Sequence, residues 1–150
     1  MTTTTDVVQR KSYLDAYRRH GYFFREAAML TIAVGFCMHL YRVNFGDAAT
    51  LEYAVTQTTD ILLLVPMTYA AIAGILGWRR MRFVNRVHKI ALTASLVYIT
   101  ASVPLHLYVL FVLHDVSFYV HMAGYWFSYF LLIVVYPVFL TMFWKLRYKN

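Results

Sequence analysis

The chain has 150 residues, of which 61% are hydrophobic, 18% aromatic and only 14% charged, whereas an ordinary soluble domain is roughly 45–50% apolar and about 25% charged. With a mean hydropathy of +0.54 and four long apolar runs, this excludes a soluble globular domain, a disordered tail and a nucleic-acid module, and the length permits one domain. A single cysteine, Cys37, excludes an internal disulfide or a thiolate cluster.

The first 25 residues form a charged stretch too long for a signal peptide, with no small-residue cleavage site closing an apolar core. They are expected to be a cytoplasmic N-terminal segment. Tyr13, Leu14, Tyr17 and residues 21–24, interleaved with Arg18 and Arg19, suggest a short interfacial amphipathic helix, or simply a basic flank that sets topology. Residues 26–145 then hold four spans of a length that crosses a bilayer: 27–43, 61–78, 90–113 and 116–144. Pro66, Pro104 and Pro137 fall inside spans, where neighbouring helices satisfy the carbonyls they free. The small-residue run at 70–74, and Ala94–Ser95 with Ala101–Ser102, should let helices approach closely. Residues 44–59 read as the only connection long enough to have its own shape, with Asp60 as N-cap of the second span. A turn at 116–118 should join spans three and four in a tight hairpin, and residues 146–150 should form a cytoplasmic tail.

Charge fixes the expected orientation. Thirteen of the fourteen basic residues fall on one side of a four-span model, in the N-terminal segment, the connection between spans two and three, and the tail; only Arg42 falls on the other. Positively charged loops stay cytoplasmic, so both termini are expected inside, in a prokaryotic cytoplasmic membrane. The net charge of +7 is then mostly topology, with anionic headgroups as sufficient partners for the basic loops. The expected fold is an all-α membrane protein, a four-transmembrane-helix antiparallel bundle.

An ionisable side chain inside a membrane is costly and usually faces the bundle interior. Of six histidines, His20 and His88 fall among arginines at the inner boundary and are assigned to the headgroup region, and His114 to the wet outer end of span three. His39, His106 and His121 are different: at a rise of about 1.5 Å per residue, all three lie roughly 6–11 Å below the outer face, on three different helices. One reading is a b-type haem held by two imidazoles. An up-and-down bundle puts span one diagonal to span three, and a diagonal pair leaves more room for a porphyrin than adjacent helices do. His39 with His106 is therefore the preferred pair and His39 with His121 the second. Gly35, one turn below His39, would let a flat macrocycle approach, and Gly124 stands in the same relation to His121. Arg42 could pair with propionates.

In arrangement the chain resembles four-helix membrane cytochromes b and respiratory anchor subunits, with antiparallel spans and histidines at matched depth, although no family motif accompanies the likeness. The resemblance implies electron transfer to or from a quinol or a larger partner complex. Those families often carry two haem levels, and His20 and His88 are too peripheral to build a second. Two other readings stand beside this one. His39, His106 and His121 could hold copper, iron or zinc, with Asp60, Asp115 or His114 as a further ligand or supporting group. Alternatively, they could only hydrogen-bond between helices of a cofactor-free structural subunit, within a larger membrane complex or a homo-oligomer.

Overall fold

The computed structural model describes residues 15–16, 18–45, 49–114 and 126–149. It has four helices long and apolar enough to cross a membrane: His20–Phe45, Gln57–Arg80, Arg86–Leu113 and Trp126–Lys145. Within these, α1 is Phe24–Phe45, entered through a tight helical turn at His20–Phe23, and α2 is Ala49–Gly77. Next, α3 is Arg86–Tyr108, prolonged by a widened turn at Val109–Leu113. Finally α4 is Tyr136–Lys145, which continues a helical stretch over 126–130 through a second widened turn at Leu131–Val135. The widened turn precedes Pro137, whose ring has no N–H and would crowd the carbonyl four residues back. Lengthening the hydrogen bond to the i→i+5 pattern, with the Tyr136 N–H on the Leu131 carbonyl, accommodates it.

One boundary differs from the sequence expectation. The connection expected over 44–59 is mostly helix: α1 runs to Phe45 and α2 begins at Ala49. Asp60 is therefore not an N-cap but lies inside α2, where its own N–H already has a helical carbonyl to bond. No glycine or proline occurs between Asp47 and Thr59 to stop the helix. At the opposite end, residues 20–24 have a buried and an exposed side, with Phe23 turned outward. Gly21 and Phe24 are buried in the packed end of the bundle. Residues 13, 14 and 17 of the expected interfacial helix, the 116–118 turn and the start of the fourth span lie outside the described residues.

α1 packs against α2 and α4, and α3 against the same two neighbours. The order around the bundle is therefore α1–α2–α3–α4, with α1 and α3 diagonal, as the up-and-down reading expects. The small residues of α2 are where helices come closest. Ala70 and Ala73 are fully buried, and a methyl group on Gly74 would collide with Leu96 and Phe24. Where lipid tails are as apolar as leucine, such close contact is the main source of helix association. Ser95 is also buried, but its hydroxyl bonds back to the Leu92 carbonyl, so it contributes packing and no interhelical bond. Large apolar side chains such as Val65, Ile75, Val97 and Ile133 point outward, as a lipid-facing surface requires.

The end of the bundle that carries the basic residues is closed by a clasp the sequence did not announce. Strand β1 (Met81–Arg82) pairs antiparallel with β2 (Arg147–Tyr148), Met81 opposite Tyr148, and the Lys149 N–H adds a bond to the Arg80 carbonyl at 2.7 Å. The expected tail is thus tied to the turn between α2 and α3. Met81, Leu146 and Phe143 are buried beneath it. The Tyr148 hydroxyl accepts from the Arg25 N–H at 3.1 Å, and its ring meets Tyr22 edge-on. Gly21 and Gly77 let α1 and α2 touch backbone to backbone here, since a Cβ on Gly21 would sit 2.6 Å from Gly77 Cα.

His88 belongs to this end, but it is packed between helices and not on the surface with its arginine neighbours. It is 2% exposed. Its Nδ1 accepts from the Val84 N–H and its Nε2 donates to the Met142 carbonyl, each at 2.9 Å. A backbone donor on one nitrogen and a backbone acceptor on the other fix the neutral Nε2–H tautomer, so His88 is a structural staple between α3 and α4. His20 reaches the Tyr69 hydroxyl at 2.7 Å.

Candidate functional site

The opposite half of the bundle holds a cavity of about 630 Å³, within the range typical of small-molecule and cofactor sites. Its walls are mostly apolar, with a few polar groups converging on it. From α1 come His39, Arg42 and Gly35; from α2, Thr59 and Asp60; from α3, Tyr98, Ser102 and His106; and Tyr136 opens α4. Three of the five residues singled out from sequence as cofactor ligands or supports (His39, His106 and Arg42) thus meet at one cavity, with the fourth, Gly35, beside them. The fifth, His121, lies outside the described residues, as do Gly124 and Asp115. His114 is exposed beyond the end of α3, in a left-handed backbone conformation at φ 54°.

The two imidazoles come from diagonal helices, and the Nδ1 of each faces a different neighbour. His39 Nδ1 lies 2.9 Å from Ser128 Oγ of the fourth span. His106 Nδ1 lies 3.2 Å from Asp60 Oδ1 of α2. The second contact is close enough for an ion pair but is angled away from a directional hydrogen bond, and neither Asp60 oxygen makes one among the described residues. Anchoring a histidine through Nδ1 is the arrangement in which Nε2 does the ligating. Arg42, His106 and Asp60 all act electrostatically on His39, so the four ionisable groups form one neighbourhood. Asp60 is the most hidden of them, at 1% exposure.

Below these groups lies a pair of tyrosines. The Tyr98 and Tyr136 hydroxyls are 3.3 Å apart, and the Tyr136 ring lies 5.8 Å from that of His39. The missing side chain of Gly35 makes room for this ring: a Cβ there would stand 3.1 Å from the Tyr136 hydroxyl. Gly35 therefore serves the approach of α4 as well as lining the cavity. Cys37 is exposed and lies on the rim.

Sequence reasoning missed Ser128 and the tyrosine pair. Ser128 is 1% exposed within the aromatic stretch at 125–130, and a lone hydroxyl in such a run is a signal for an interhelical partner. Tyr136 gave no such signal, because its direction depends on the widened turn before it. Among the described residues, no three of His, Cys, Asp and Glu come together as a metal-ligand set. Comparison with family models, curated proteins and solved structures found no match to this chain.

Proposed function

We propose that this protein is a small integral-membrane redox subunit that holds a b-type haem between His39 and His106, with its basic end and both termini on the cytoplasmic side. The observation that carries the reading is that two imidazoles from diagonal helices line one mostly apolar cavity, His39 hydrogen-bonded through Nδ1 to Ser128 and His106 with its Nδ1 3.2 Å from a buried Asp60 oxygen. Bis-imidazole ligation suits haem iron, and burial with hydrogen bonding to the ligands tunes it. Such a group supplies one-electron transfer, here to or from a quinol or a larger partner complex.

The chain's own residues have separable parts in this reading. His39 and His106 would be the two residues that hold the iron, and Ser128 and Asp60 would set their ring orientations. Arg42, three residues from His39 and lining the same cavity, neutralises propionates by charge-assisted hydrogen bonds. The apolar walls contributed by Ile32, Leu63, Met67, Ile99 and Leu131 exclude water and favour a flat apolar ring. His121 is the alternative second ligand.

The test is to purify the chain in detergent from cells with ample haem and measure both haem and metal content per chain. About one haem b per chain supports the proposal. Copper, iron or zinc without haem would replace it with the bare-metal reading, for which the buried Asp60 carboxylate beside His106 is the supporting feature. A chain empty of both would leave Ser128 and Asp60 as interhelical partners in a structural subunit.

A further inference from the structure

We infer that Asp60 is a positioning residue for His106: its carboxylate holds the Nδ1–H tautomer of that imidazole, directs Nε2 into the cavity and makes His106 the stronger electron donor of the two proposed ligands. The inference rests on the haem reading for its redox consequence but not for its tautomer. Three observations carry it. Asp60 is 1% exposed in the middle of a helix, far from any capping role. Its Oδ1 lies 3.2 Å from His106 Nδ1. Neither of its oxygens makes a hydrogen bond among the described residues, so the His106 imidazole is the polar group that geometry sets closest against a carboxyl group kept out of water.

An ionised carboxylate can only accept hydrogen bonds, so the nitrogen facing it must carry the proton and the remote nitrogen is left as the ligand. The 3.2 Å separation is within hydrogen-bond reach, which a rotation of the ring toward the oxygen would complete. A histidine supported by a carboxylate is a stronger donor than one supported by a neutral hydroxyl. The two candidate ligands differ in this respect, His106 against Asp60 and His39 against Ser128. A stronger donor stabilises the oxidised, more positively charged iron, so the carboxylate should hold the midpoint potential down.

The deciding experiment compares wild type, Asp60→Asn and Ser128→Ala. Asparagine keeps the shape and removes the charge, so Asp60→Asn should still fold. It should raise the midpoint potential and weaken haem binding by roughly ten- to a hundred-fold, while Ser128→Ala moves the potential much less. An unchanged potential and affinity in Asp60→Asn would overturn the inference. If wild type binds no haem, nitrogen-15 NMR of the apo chain decides instead. A His106 proton on Nδ1 that shifts toward Nε2 in Asp60→Asn sustains the positioning role, although the haem reading has failed. A His106 already protonated on Nε2 in the wild type would overturn it.

Discussion

The two ends of this bundle are built on opposite principles. At the basic end every buried polar group described above has found a partner: His88 uses both ring nitrogens on backbone groups, Tyr148 accepts from Arg25, and the two short strands pair across the bundle mouth. Helix backbones touch at Gly21 and Gly77, and Phe24, Phe143 and Leu146 fill the space between. At the other end the helices part around a cavity into which a carboxylate, two imidazoles and a guanidinium converge. A membrane bundle needs no such arrangement for stability, since buried polar groups in it are expensive unless fully satisfied. The contrast separates structure from function along the helix axis. His88 meets a backbone group with each ring nitrogen at one end, whereas His39 and His106 line a cavity at the other, and the proposed ligands are that second pair.

The contrast can be broken most sharply with the histidines themselves. His39→Ala and His106→Ala should each abolish haem retention, whereas His88→Ala should keep the pigment and lose stability. Haem content of the three purified variants checks this, and a His39→Ala chain that retains haem normally would remove His39 from the site. Next in size, Gly77→Ala should destabilise the bundle by about 1–3 kcal/mol or more, the usual cost of overpacking, because its new methyl would meet the Gly21 backbone. Unfolding in mixed micelles would report the loss, and the absorption spectrum of the folded fraction should not move. His88→Ala leaves the Met142 carbonyl and the Val84 N–H without their partner, a loss of about 1–3 kcal/mol.

The smallest effect concerns pH. Burial is the main influence that pushes the Tyr148 hydroxyl from 10.0 up to about 12. The folded clasp therefore holds this proton more tightly than the unfolded chain does. Its contribution is intact below about pH 10 and is lost as pH rises toward about 12. Tyr148→Phe should remove that alkaline step from a pH titration of stability, and persistence of the step would assign it to another group.

Hydropathy made the four spans legible, and the proline positions and charge asymmetry fitted them. The small-residue run of α2 was equally legible, because Ala70, Ala73 and Gly74 lie at the close approach. The polar stretch before Asp60 misled: hydropathy marks where a helix enters an apolar medium, not where it starts, and α2 continues upstream to Ala49. The same limitation hid the role of Asp60, which read as a cap while it was thought to open the helix. His88 was misplaced because arginines around it in sequence point outward while its own side of α3 faces α4. The clasp was illegible because two-residue strands have no periodicity to detect. Three of the polar residues around the cavity, His39, Arg42 and His106, were found from depth alone. Asp60 was foreseen only as one of several supporting groups and Ser128 not at all, because both come from other helices and only packing shows which histidine each one faces.

The most direct test of the central claim is the visible spectrum of the detergent-purified chain, first air-oxidised and then reduced with dithionite. A haem held by His39 and His106 predicts a sharp Soret band and a well-formed α-band on reduction. A featureless spectrum from cells with ample haem would contradict it.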